Sequence, residues 1–215
     1  MRMRLTFSKC EAMRFTGHLD LHRTWERTFR RTGLPLAYTS GFNPQPRLQL
    51  ACALPLGFTS QCELLDAWLE ASLSLIEIEQ ALLDAQPPGI LLHQVDEVDP
   101  HEPSLPSQVD SVVYTVRLRQ SASDLRSRID SLLQSAILPR ERRGKPYDLR
   151  PLIEALEVSP DDPALIQMRL AAREAATGRP EEVLAALDLG EATARIHRTS
   201  LILICGFAWK PTKRR

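Results

Sequence analysis

No stretch of the 215 residues approaches the ~20 consecutive apolar side chains that a membrane-spanning helix needs, so no membrane association is expected. Arg2 and Arg4 follow Met1 without the apolar core and small-residue cleavage site of an export signal, which leaves a cytoplasmic location as the expectation. Cysteine is sparse. Cys10, Cys52, Cys62 and Cys205 form no Cys-x-x-Cys pair and have no histidine at zinc-ligand spacing, so free thiols are expected, with no disulfide or metal site. The Cys-x-x-x-Cys-x-x-Cys pattern that would hold an iron–sulfur cluster is missing too, as are Gly-x-Gly-x-x-Gly, the phosphate loop and Gly-x-Ser-x-Gly. No cofactor is therefore expected, and the spacing of the carboxylates marks no catalytic pair.

Lysine and arginine are entirely lacking from residues 51–110, which hold eleven acids. The formal net charge of zero thus conceals a segregated chain: nine basic against three acidic residues in 1–50, nine against four in 111–150, and nine against nine from 151 onward. Such segregation speaks to surface potential and partners, not to fold. Either the amino-terminal segment meets an external anion, or the acids of 51–110 fold back and neutralise it.

An apolar fraction of 43% and a charged fraction of 25% are those of an ordinary globular protein, with length enough for one large domain or two small ones. The run 95–109, VDEVDPHEPSLPSQV, is rich in proline and acid and lacks apolar periodicity, so it reads as a linker. It divides the chain into lobes 1–103 and 104–215. In the first, RLTFSKCEAMRFT reads as a strand with a bend near Cys10, and HLDLHRTWERTFRRTG as a helix ending at Gly33. LPLAYT, RLQLACAL and CELLDAWLE read as strands, SLIEIEQALLDAQ as a helix stopped by Pro87, Pro88 and Gly89, and ILLHQV as a strand. The second half repeats the order. VDSVVYTVRLRQ is a strand, SASDLRSRIDSLLQSA a helix capped by Ser121 or Ser123, YDLRPLIEALEVS a helix or a strand, and LIQMRLAA a strand. Pro180 then opens a helix and ATARIHRTSLILI closes the chain's regular structure. The expected class is α+β, as two tandem ferredoxin-like (βαββαβ) lobes.

On the first helix, Leu21, Trp25 and Phe29 share one stripe at i, i+4 and i+8, and Arg23, Arg27, Arg30 and Arg31 fall opposite it. Guanidinium is a planar fork suited to phosphate oxygens. The helix start Phe15-Thr16-Gly17-His18-Leu19-Asp20 puts free amides beside His18, a place where phosphate binds and imidazole can contact an oxyanion or act as a base. The loop Ser40-Gly41-Phe42-Asn43-Pro44-Gln45-Pro46-Arg47 is a rigid turn. It exposes Phe42, Asn43 and Arg47, a set able to stack on a base and hydrogen-bond its edge, unless Phe42 tucks beneath its own loop. A second basic loop holds Arg142, Arg143 and Lys145, and the tail from Lys210 onward adds more positive charge.

Residues 13–70, from MRFTGHLDLHR through GFNPQPRLQLACALPLGF to DAWLE, resemble the start of the bacterial radical-SAM-linked family, a domain fused to or encoded beside radical SAM proteins. The resemblance is carried by Arg14, Phe15, His18, Leu19, Asp20, Arg23, Arg30, Arg31, Gly41, Phe42, Asn43, Pro44, Pro46, Pro55, Leu56 and Gly57. It continues more loosely through Asp148-Leu149-Arg150-Pro151, Arg179-Pro180-Glu181-Glu182-Val183 and Arg195-Ile196-His197-Arg198-Thr199. Gly17 stands where that family usually has serine, and Gln45 where it usually has histidine. Any acid–base role that needs the loop histidine is thereby weakened, whereas Gln45 still donates and accepts hydrogen bonds.

The basic and aromatic residues, together with the radical SAM link that the resemblance implies, lead to the expectation of an RNA-binding or substrate-presenting accessory module for a separate radical SAM enzyme acting on tRNA or rRNA. Its anion- and RNA-contacting residues would be Arg14, His18, Arg23, Arg27, Arg30, Arg31, Phe42, Asn43, Gln45, Arg47, Arg142, Arg143 and Lys145. Two other readings remain. Tandem ferredoxin-like lobes also resemble the CRISPR RNA-processing endoribonucleases, with His18 as base and Arg23 or Arg47 stabilising the oxyanion without metal. In a protein-only adaptor, the arginine face would dock on an acidic partner.

Overall fold

In the computed structural model, residues 1–120, 122–190 and 194–204 are described. They form a mixed α+β fold with four α-helices among the described residues, and the chain divides into one unit on Met1–Val109 and another on Asp110–Trp209.

β1 (Arg2–Lys9) organises the first unit because its side chains alternate: Met3, Leu5 and Phe7 enter one core, while Arg2, Arg4, Thr6 and Ser8 face the other way. α1 (His18–Thr32) follows a 3-10 turn at Glu11–Met13 and stops at Gly33, whose φ of 71° supplies the left-handed cap. β2 (Leu48–Leu50), β3 (Thr59–Trp68), α2 (Leu75–Asp84) and β4 (Ile90–Val98) complete the unit. The strands lie in the order β4-β1-β3-β2, every neighbouring pair antiparallel. Both helices pack on the Met3/Leu5/Phe7 side, where Trp25 meets Phe7 edge-on at 4.8 Å between ring centres.

Ser74 and Glu77 form a reciprocal capping box that opens α2. Beyond α2 the chain returns through Gly89 at φ 88°. A Cβ there would stand 2.7 Å from Met13 Cγ and 2.9 Å from Met13 N, so only glycine fits against the 3-10 turn.

The run 34–39 does not form the expected strand. Pro35 contributes no amide, and the neighbouring amides divide between partners: Ala37 N donates to Trp68 O, whereas Thr39 N donates to Gln45 O within its own loop. Only isolated bridges result, Leu36 to Leu69 and Tyr38 to Pro46. Nor does the linker begin at residue 95, because β4 pairs with β1 as far as Val98. The first unit continues through a 3-10 turn at Leu105–Gln108.

The second unit runs β5 (Val109–Leu118), α3 (Leu125–Gln134), a hairpin of β6 (Pro139–Arg142) and β7 (Lys145–Asp148), then β8 (Ile153–Val158), β9 (Leu165–Arg173), β10 (Ala176–Thr177), α4 (Pro180–Ala186) and β11 (Ala194–Leu203). β5 lies between β9 and β11, and β8 and β10 both pair with β9. The run 147–159, open between helix and strand in the sequence, becomes the end of β7, a 3-10 turn and β8. Asp148 Oδ1 accepts from the Leu138 and Arg150 amides and Pro151 follows, which breaks any helix there. The cap position of α3 is Asp124, not Ser123; Ser121 lies outside the described residues. The basic segment 139–148 is a hairpin whose turn residues, Arg143 and Gly144, have φ of 52° and 74°.

Candidate nucleic-acid interface

The buried stripe of α1 is Leu21, Trp25, Thr28 and Phe29, and the opposite side exposes Arg23, Arg27 and Arg30 at i, i+4 and i+7. Arg23 is 3.6 Å from Asp20 in an exposed pair. Among the described residues no carboxylate pairs with Arg27 or Arg30. Arg31 is placed differently from the other three. It lies on the flank facing α2, where its Nη2 donates to the Ala85 carbonyl at 2.7 Å and to Thr28 Oγ1 at 3.2 Å, tying the two helices together. On the other flank, His22 lies 3.0 Å from Glu26 and donates to the Leu48 carbonyl at 3.3 Å, which ties the helix to the start of β2.

Two acids of 51–110, Asp66 and Glu102, pair with arginines of β1. Asp66, fully buried, accepts from Arg2 at 2.7 Å and 3.0 Å and from Arg4 at the same two distances, and Glu102 lies 3.5 Å from Arg4. Those acids that pair with arginines of the first strand therefore do not reach the outer side of α1.

At the start of α1 two loops are clasped together. Arg14 Nε donates to the Gly57 carbonyl at 2.7 Å and Gly57 N returns a bond to the Arg14 carbonyl at 3.0 Å. Beneath them the Lys9 ammonium, with no exposed surface, donates to the carbonyls of Arg14 at 3.3 Å and Phe58 at 3.2 Å. His18, the first residue of α1, is half-buried beside this clasp. Phe15, Leu19 and Leu56 emerge at the same corner with 75%, 71% and 63% of their surface exposed, an apolar accompaniment to the arginines that their sequence positions did not signal.

The loop 40–47 is closed by Thr39 and Gln45, which exchange a backbone bond of 2.9 Å and a bond from Gln45 N to Thr39 Oγ1 of 3.0 Å. Phe42 does not tuck under it; the ring is fully exposed, and Asn43 and Gln45 are exposed with it. Arg47 stands at the stem with its guanidinium 4.8 Å from the centre of the Trp68 ring. Arg2 approaches the same ring at 5.2 Å. Trp68 is the residue that pattern reading missed, since nothing in CELLDAWLE distinguishes it from a core aromatic.

In the second unit, Arg142 is committed internally. It pairs with Glu182 at 2.6 Å, donates to the Thr177 carbonyl and lies 4.8 Å over the Tyr147 ring. Partial burial opposes its charge, but Glu182 and then Tyr147 outweigh this and hold its pKa above the ordinary value; burial and Glu182 raise that of Tyr147. Arg143 and Lys145 are exposed at the hairpin turn. The tail from Lys210 lies outside the described residues.

Among the described residues no group of three or more His, Cys, Asp or Glu is placed to hold a metal ion, and no helix is long and apolar enough to cross a membrane. Burial alone raises the pKa of Cys10.

Residues 2–180 match the model of a family described as an uncharacterized protein conserved in bacteria, DUF2344. The chain belongs to the DUF2344 family. No curated protein matches it. A chain of a Cbf5-Nop10-Gar1 complex is similar to 93% of this DUF2344 chain and over 48% of its own length, at 8% identity and a TM-score of 0.49. A chain of an H/ACA RNP bound to a substrate RNA containing 2'-deoxyuridine is similar to 92% of it and over 46% of its own length, at 9% identity and a TM-score of 0.46. The DUF2344 chain thus spans about half the length of these two. The acetolactate synthase small subunit from Thermotoga maritima overlaps 98% of both chains at 12% identity, with a TM-score of 0.28. At such scores none of these likenesses bears on partner or activity.

Proposed function

We propose that this DUF2344 chain is an RNA-binding module that presents tRNA or rRNA to a separate radical SAM enzyme. One observation carries the RNA half of the reading: Arg23, Arg27 and Arg30 form an exposed stripe on α1, and among the described residues no acid of 51–110 pairs with any of them, Asp66 and Glu102 engaging Arg2 and Arg4. A row of guanidiniums about one helical turn apart suits successive phosphates of a polynucleotide. The radical SAM half rests on the resemblance of residues 13–70. Each unit is further proposed to be a ferredoxin-like lobe. The order β4-β1-β3-β2 in the first and β11-β5-β9-β8 in the second, each from a β-α-β-β-α-β succession with the β6–β7 hairpin and β10 added, supports this.

The test is the salt dependence of RNA binding. Each phosphate contact on a single strand contributes about 0.7 to the slope of log affinity against log salt, so Arg27→Ala/Arg30→Ala should flatten the slope by about 1.4. An unchanged slope in a double variant that melts like the parent would remove α1 as the phosphate contact. A nuclease-treated pull-down tests the enzyme partner: retention of a radical SAM protein is expected, and its absence both with and without RNA would refute that half.

A further inference from the structure

We infer that the row Arg2, Trp68, Arg47 is a stacking platform for a nucleobase, and that the RNA partner is therefore single-stranded at this point; the inference rests on the RNA reading above. The row follows from strand register. Arg2 of β1 is paired directly with Trp68 of β3, and Arg47 immediately precedes Leu48, which pairs with Ala67. Trp68 N accordingly donates to the Arg47 carbonyl at 3.2 Å, and Arg47 N to the Ala37 carbonyl at 2.8 Å. The indole thus has a guanidinium arriving from each neighbouring strand, at 5.2 Å and 4.8 Å.

The two arginines have opposite circumstances. Arg2 is buried and saturated: it bonds to Asp66 twice, to the Glu102 carbonyl at 2.6 Å and to the Pro103 carbonyl at 2.9 Å. It anchors the row. Arg47 is exposed, and among the described residues its guanidinium has no hydrogen-bond or ion-pair partner, only the ring. β2 is the outer strand of its unit's sheet, and Arg47 stands at the stem of the 40–47 loop whose tip carries the fully exposed Phe42. A guanidinium plane held by an indole and open to solvent is a surface on which an unpaired base stacks, and an aromatic ring close by in the chain offers a second such surface. A base inside a duplex has both faces occupied and cannot use either. The outer arginines of α1 supply charge to any polyanion; this platform supplies the preference for an unpaired strand.

Arg47→Lys keeps the charge and removes the plane. With a mixed-sequence RNA of roughly 12 nucleotides as probe, the variant is expected to bind about tenfold more weakly with the same salt slope, and Phe42→Ala, at a residue with no packing to lose, to weaken binding several-fold. The duplex of the same sequence is expected to bind the parent less tightly than the single strand, and Trp68→Leu to erase that difference. Parent-like binding by Arg47→Lys, or equal affinity for strand and duplex, would overturn the platform while leaving the α1 reading intact. A parent protein that binds neither RNA would overturn both.

Discussion

Asp66 holds two guanidiniums with no exposed surface of its own, and Arg2 carries that linkage on to the carbonyls of Glu102 and Pro103. Truncating one member of a buried ion cluster leaves the others charged and unpaired, a loss of about 3–5 kcal/mol. Asp66→Ala is expected to lower unfolding free energy by that amount in a denaturant titration, and to weaken RNA binding through Arg2 and the Trp68 row. Lys9 belongs to the same scale: a buried ammonium whose donors fasten the start of α1 to the loop at Phe58. Neither residue announced itself in the sequence. A charge within an alternating strand reads as solvent-facing until a second layer is known to cover it, whereas Leu21, Trp25 and Phe29 were legible because an i, i+4, i+8 apolar stripe has only one use in a folded helix.

Among the elements, α1 was readable nearly to the residue, since Gly33 ends it and the apolar stripe runs its length. The division of labour among its arginines was not. All four lie away from the core on a helical wheel, yet α2 passes beside one flank and Arg31 donates to the Ala85 carbonyl at its end. Arg31→Ala should therefore cost about 1 kcal/mol in stability, and its salt slope for RNA should stay that of the parent; thermal melting and binding titrations measure the two effects separately. The β8–β9 turn offers a pH test. The Ala164 amide, and then Arg117, hold the Asp162 carboxyl below the usual aspartate range. A carboxyl lowered on folding stabilises above its unfolded pKa of ~3.9, and that stabilisation is lost as pH falls through the lowered folded value. Asp162→Ala should melt below the parent at neutral pH, with the gap closing as pH drops below about 4. The run 34–39 and the segment 147–159 misled or stalled pattern reading for a shared reason: prolines and side-chain-to-backbone bonds decided them, and neither enters an apolar period.

At the scale of the whole molecule the formal charge is zero, so attraction to a polyanion has to come from where the charges stand. A steep salt dependence of RNA binding in a neutral protein is the expected result, and it would localise the contact to a face. Sequence by itself determined the segregation of charge, the α+β succession of elements, membership in a bacterial family and the amphipathic α1, because composition and short-range periodicity encode these directly. Tertiary structure alone decided which arginines are spent and which are open. Asp66 finds Arg2 and Arg4 across sixty residues through β1–β3 register, Arg142 finds Glu182, and Arg31 finds the end of α2, leaving Arg23, Arg27, Arg30, Arg47 and Arg143 of the candidate arginines outward. Ion pairing depends on distances of a few ångströms between residues far apart in the chain, and no local pattern carries that information.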